Sequence, residues 1–165
     1  MSTRKSSIIF LGIVVPIIFL DQATKLWIDA SMVLHASFPV IDGFFNITYV
    51  RNPGAAFGFL AGAPRVFRSL FFLAVTILAI VLILYYLYKN PDGGPLLTIA
   101  LALILAGAVG NMIDRVRLGE VIDFLDVYIG QAHWPAFNVA DSAICVGAAV
   151  LFLALVNQGK EQKRP

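Results

Sequence analysis

Apolar side chains run from Ile8 to Leu20 without a charged residue, and Asp21-Gln22-Ala23-Thr24-Lys25-Leu26-Trp27-Ile28 continues the same helix. A helix needs about 20 residues to cross a bilayer. The first span is therefore read over 8–28, with Asp21, Gln22 and Lys25 in its final third. Three more apolar stretches, 67–88, 96–111 and 137–156, read as further spans. Ala106 and Gly110, and Ala143 and Gly147, stand four apart, a spacing of small residues that lets membrane helices approach closely. Two long segments, 29–66 and 112–136, and a tight connection over 89–95 join the spans. In the first of them Phe44 to Val50 is aromatic and β-branched, follows Asp42-Gly43, and predicts a strand after a turn. Arg51-Asn52-Pro53-Gly54-Ala55-Ala56-Phe57-Gly58 predicts a turn whose small residues permit close backbone approach. It is too apolar for a soluble loop and is expected to lie on the bilayer surface or to cover a cleft. The second is read as a loop holding Asp114, Arg115, Arg117, Glu120, Asp123, Asp126 and His133.

Composition agrees with an all-α membrane protein, a four-transmembrane-helix bundle in one domain over 1–165. The chain is 59% hydrophobic and 13% charged, with mean hydropathy +0.86, more apolar surface than a soluble domain of this size can hide. A net charge of +2 gives no case for nucleic acid as a partner; membrane lipid is the expected surrounding. Cys145 is the single cysteine, which excludes an internal disulfide and a cysteine-rich metal site. Arg4 and Lys5 precede the first apolar run, but no small-residue cleavage site follows, so an uncleaved first span is expected.

Charge then orients the bundle. Four spans put both termini on one side, and Arg4, Lys5, Lys89, Lys160, Lys163 and Arg164 crowd the terminal segments and the 89–95 connection. The other six basic residues are spread over longer segments. The positive-inside rule places both termini in the cytoplasm. Asp21, Asn111, Asp114, Arg115, Asn138 and Asp141 then converge on the outer leaflet, with 29–66 and 112–136 extracytoplasmic.

The chemistry resides in those polar residues. A carboxylate at a bilayer boundary is costly and is usually paired or functional. Asp141 stands three residues after Asn138, so it is either a helix-capping acid or a catalytic one. Asp123 is a second acid nearby, and Asp126 is equally suitable by composition; spacing does not choose between them. Two adjacent carboxyls share a proton, one acting as base on water while the other stabilises the developing oxyanion. Asp21 and Lys25, four apart, are either an ion pair or an interfacial snorkelling lysine with its partner. Ser142 has only His35 and His133 as possible bases, neither in a motif, and no recognised metal-ligand spacing is present. Intramembrane acids also suit a proton or ion carrier, and a capped helix suits a structural subunit.

Five pieces decide among these. Asp21-Gln22-Ala23-Thr24-Lys25, Asn52-Pro53-Gly54-Ala55-Ala56-Phe57, Gly110-Asn111-Met112-Ile113-Asp114-Arg115, Val121-Ile122-Asp123-Phe124 and Phe137-Asn138-Val139-Ala140-Asp141-Ser142 occur in this order. Together with length and layout they make the chain resemble lipoprotein signal peptidase (signal peptidase II), the bacterial aspartic membrane protease. The resemblance implies a catalytic dyad of Asp123 and Asp141. It implies substrate or inhibitor contacts at Asn52, Gly54, Asn111, Arg115 and Asn138, and supporting roles for Asp21, Lys25 and Asp114, with no metal or other cofactor. It further implies a small extracytoplasmic β-cradle and a surface helix, residence in the bacterial cytoplasmic (inner) membrane, and a monomer. The implied substrate is a diacylglyceryl-modified prolipoprotein cut before its lipidated cysteine, and globomycin-type cyclic peptides are the implied inhibitors. The loop from Asn52 to Phe57 is expected to shape the substrate channel.

Overall fold

A computed structural model describes residues 3–54, 60, 62–90 and 94–161, with side chains described from 8 to 157. Helices α1 (Thr3–Ser31), α2 (Arg65–Lys89), α3 (Pro95–Leu118) and α4 (Val139–Glu161) are each long and apolar enough to cross a membrane. Large apolar side chains point outward on all four, among them Phe19, Val66, Val116 and Phe152, while Asp21, Lys25 and Asp114 are fully buried. This is the reverse of a soluble protein and suits a bundle whose solvent is hydrocarbon.

α3 is the central post. Of its span 56% is buried, against 17%, 11% and 22% for α1, α2 and α4. Small residues make this possible. A Cβ on Gly107 would stand 2.2 Å from the Ala140 carbonyl oxygen, and one on Gly147 would stand 2.9 Å from that of Ala100. The small pairs at 106/110 and 143/147 lie where the helices meet, and Gly107 completes the close approach of α3 to α4. Gly107→Ala forces backbone against a methyl group, and overpacking of this kind costs about 1–3 kcal/mol. A lower melting temperature in detergent is the expected result, with no comparable loss for Gly12→Ala, where the space is open.

α3 does not stop at Asn111. It continues to Leu118, so Asp114, Arg115 and Arg117 belong to a helix and not to the predicted loop. Its polar final turns persist because Asp114 pairs with Lys25 and Arg115 reaches α2 and Gly54. Gly119, in the left-handed region at φ 78°, ends the helix by donating its N–H to the Arg115 carbonyl at 3.0 Å.

The segments between helices build an antiparallel sheet in the order β1 (Ser37–Ile41), β2 (Phe45–Asn52), β3 (Val121–Ile129), β4 (Ala132–His133). β2 is the predicted strand, extended by two residues at its end. β1 carries Pro39, which suits its place at the sheet edge. β3 occupies the middle of the predicted second loop. Its register with β2 sets Val50 opposite Asp123 and Asn52 opposite Val121. Ile28, Tyr49, Ile122 and Phe124 form a buried cluster that seats the sheet on the end of α1. Phe137 bridges to Leu125 before α4 begins, which brings Asn138 beside β3. No helix beyond these four is present among the described residues.

Candidate active site

At the sheet end of the bundle, residues from β2, β3, α1, α3 and α4 share one buried polar network. α4 begins with a reciprocal cap. The Asp141 N–H donates to Asn138 Oδ1 at 2.8 Å, and the Asn138 N–H donates to Asp141 Oδ2 at 3.2 Å. Two otherwise orphaned helix donors are satisfied in this way. The cap does not exhaust Asn138, whose side chain is fully buried. Its Nδ2 donates to Asp123 Oδ1 at 2.7 Å, to the Ile122 carbonyl at 3.1 Å and to Asn111 Oδ1 at 3.2 Å. One asparagine thus touches both Asp123 and Asp141.

The other carboxylate oxygens are held as well. Asn52 Nδ2 donates to Asp123 Oδ2 at 3.0 Å, and Asn111 Nδ2 donates to Asp141 Oδ1 at 2.8 Å. Asn52 Oδ1 accepts the Gly54 N–H at 2.9 Å, a local turn fixing the start of the Pro53-Gly54 segment. From α3, Arg115 Nη2 donates to the Gly54 carbonyl at 3.2 Å, and its guanidinium lies 4.8 Å over the Phe72 ring of α2. Beneath this layer Lys25 contacts Asp21 at 3.0 Å, Asp114 at 3.1 Å and Asn111 Oδ1 at 2.9 Å. Of the two readings of Asp21 and Lys25, the ion pair holds and the snorkelling lysine does not, since both are fully buried.

Asp123 is 2% exposed. Burial, and next the neighbouring Asp141 carboxylate, push its pKa up to about 7 against the hydrogen bonds from Asn52 and Asn138 and the charge of Lys25. Asp126 sits elsewhere. Three residues along β3, it accepts from Asn46 Nδ2 at 2.8 Å and pairs with His133 Nδ1 at 2.8 Å, and His133 stacks on Tyr128. Ser142 spends its hydroxyl on the Asn138 carbonyl at 2.9 Å, a helix back-bond.

Every site residue expected from the sequence falls in this network: Asp123, Asp141, Asn52, Gly54, Asn111, Arg115, Asn138, Asp21, Lys25 and Asp114. Ala55, Ala56 and Phe57 of the expected channel loop lie outside the described residues. Sequence reasoning gave no role to Gln22, which donates to Asp21, to the Gly110 carbonyl and to Asp114 at 3.0, 3.1 and 3.3 Å. Nor did it find Phe72 under Arg115. Gln22 stands inside the Asp21-Gln22-Ala23-Thr24-Lys25 motif; Phe72 carries no signal in an apolar helix.

The family model described as "Signal peptidase (SPase) II" matches residues 13–157. This chain belongs to the signal peptidase II family. Among its relatives, the lipoprotein signal peptidase of Syntrophus aciditrophicus is 57% identical over 159 residues, 96% of this chain and 99% of that protein. The lipoprotein signal peptidase of Geobacter sulfurreducens is 54% identical, over 93% of this chain and 95% of its own. A solved bacterial membrane enzyme superposes with a TM-score of 0.83 at 38% identity, covering 94% of this chain and 92% of that one. Signal peptidase II is a membrane-embedded protease family, and the four apolar helices make this member a multi-pass membrane protein.

Proposed function

We propose that this chain is an aspartic endopeptidase that removes the signal peptide from diacylglyceryl-modified bacterial prolipoproteins, cutting before the lipidated cysteine. The observation that carries the reading is that Asp123 and Asp141, from separate elements of a signal peptidase II chain, both hydrogen-bond to the buried Asn138. The two carboxyls share one proton. The ionised partner takes a proton from water as it attacks the scissile carbonyl, and the protonated partner donates to the forming oxyanion. The proton then passes to the leaving amine. This chemistry requires neither metal nor acyl-enzyme.

Asn138, fully buried, holds the carboxylates from within; Asn52 and Asn111 also hold them and, with Gly54 and Arg115, face the substrate backbone or a globomycin-type cyclic peptide in its place. The basic terminal segments and the 89–95 connection face the cytoplasm, so the site opens to the outer leaflet. A lipidated substrate keeps its acyl chains in hydrocarbon and meets the pair at that depth. The enzyme acts as a monomer. Clustering of the acids at one end of the bundle disfavours an ion carrier, which needs groups reachable from both sides.

The test is cleavage by the purified protein of a diacylglyceryl-modified prolipoprotein and of the same precursor without the lipid, with product masses read by mass spectrometry. A cut before the modified cysteine, with the unmodified precursor spared, is expected; equal cleavage of both would refute the substrate assignment.

The pH dependence follows from Asp123. Its pKa, pushed up to about 7, lies well above the usual carboxylate range, so the shared proton is present below about 7 and lost above it. kcat/KM is therefore expected to fall as pH rises through about 7. Folding obeys the same sign: stability contributed by the protonated carboxyl is full below its unfolded pKa and is lost as pH rises through about 7. Thermal unfolding across pH 5–9, about two pH units either side of that value, should show this slope in wild type and a flatter one in Asp123→Asn.

A further inference from the structure

Lys25 touches neither Asp123 nor Asp141, yet its contacts govern both. Its fully buried ammonium has three N–H donors and directs them to Asp21 Oδ2, Asp114 Oδ2 and Asn111 Oδ1 at 3.0, 3.1 and 2.9 Å. Two of these acceptors hold the Asp141 side of the pair and one holds the Asp123 side. Asp21 Oδ1 accepts the N–H of Ala140, the residue before Asp141, at 2.9 Å. Asp114 Oδ2 accepts the N–H of Ile122, the residue before Asp123, at 3.1 Å. Asn111, its oxygen taken by the cation, turns Nδ2 to Asp141 Oδ1 at 2.8 Å. A carboxamide whose oxygen faces an ammonium has only N–H donors left for its other neighbour.

We propose that Lys25 is a positioning residue for the aspartate pair: through Asp21 and Asp114 it sets the spacing of the two backbone arms, and through Asn111 it fixes which amide edge meets Asp141. This rests on the reading of Asp123 and Asp141 as the catalytic pair. A cation that merely tied α1 to α3 would need only Asp114; the bond to Asn111, which holds Asp141, links it to the chemistry. The charged groups facing the pair are Asp21 and Lys25 from α1 and Asp114 and Arg115 from α3. Of these, Lys25 favours the ionised form of Asp123.

The experiment compares kcat, KM and pH profile per folded molecule for wild type, Lys25→Met and Lys25→Met/Asp114→Asn, the folded fraction being read from thermal unfolding in detergent. The double variant leaves no extra unpaired charge and keeps an oxygen for the Ile122 N–H, so it tests the idea even where Lys25→Met does not fold. Both variants are expected to lose about 10–100-fold in kcat, the usual cost of a lost outer-shell partner, with KM within about 3-fold. In Lys25→Met the fall of kcat/KM through about pH 7 should also move to higher pH, because a cation that favoured ionisation of Asp123 is gone. Wild-type kcat and pH profile per folded molecule would overturn the inference. Asp123→Asn and Asp141→Asn are assayed alongside. If they are inactive while the Lys25 variants are normal, only this inference falls; if they cleave, the reading beneath it falls.

Discussion

Asp123→Asn and Asp141→Asn are each expected to lower kcat on the order of 10²–10⁴-fold, the range for loss of a positioned acid or base. Neither should unfold the protein. At position 123 the amide oxygen still accepts from Asn138 or Asn52, and one donor meets a donor in place of a carboxylate oxygen. Loss of a buried charge offsets part of that penalty. At position 141 the amide oxygen keeps the cap from the Asn138 N–H, and the cost falls on the bond from Asn111. The double variant should be no slower than the worse single one, because residues acting as a unit are not additive. Single-turnover cleavage beside thermal unfolding checks both halves of the expectation. A large fall in melting temperature that matched the lost activity would make these acids structural, with Asp141 only a helix cap.

Asn138→Ala has the second largest expected effect, and it touches stability and rate together. Loss of the side-chain cap of α4 costs about 1 kcal/mol. Leaving the Ile122 carbonyl and an Asp123 oxygen short of a donor in the interior adds about 1–3 kcal/mol. The rate should fall by about 100-fold, because the asparagine that joins the two acids is gone. Asn138→Asp is the informative companion. It preserves the cap oxygen and replaces the Nδ2 donor with a third acid against Asp123, so it should match wild type in capping and resemble alanine in rate. If Asn138→Ala changed only the melting temperature, the joint role of Asn138 would be refuted.

These expectations depend on contacts that were only partly legible before the fold was known. Four apolar runs announce the bundle, because hydrocarbon as solvent leaves few other uses for such stretches. The end of α3 is misread because Asp114, Arg115 and Arg117 look like loop residues until Lys25, Gly54 and Phe72 are seen to receive the first two. β3 is missed for a related reason: Asp123 and Asp126 interrupt an otherwise apolar strand, and the amides that donate to them come from Asn138, just before α4, and Asn46 on β2. Physical reasoning on the sequence alone leaves Asp123 and Asp126 equal. What separates them is the bridge from Phe137 to Leu125, which delivers Asn138 to Asp123 and leaves Asp126 to Asn46 and His133. Asp141 caps α4 through Oδ2 and meets Asn111 through Oδ1, so a capping role and the proposed reactive one are compatible in the same side chain.

A metal-independent pair at Asp123 and Asp141 is open to a single assay. Purified wild type, Asp123→Asn, Asp141→Asn and Asp126→Asn are assayed in detergent, with chelator present, on a diacylglyceryl-modified prolipoprotein. Unimpaired cleavage by wild type and near-normal cleavage by Asp126→Asn are expected, with none detectable from the other two. Cleavage surviving in Asp141→Asn, or abolished by chelator in the wild type, would contradict such a pair.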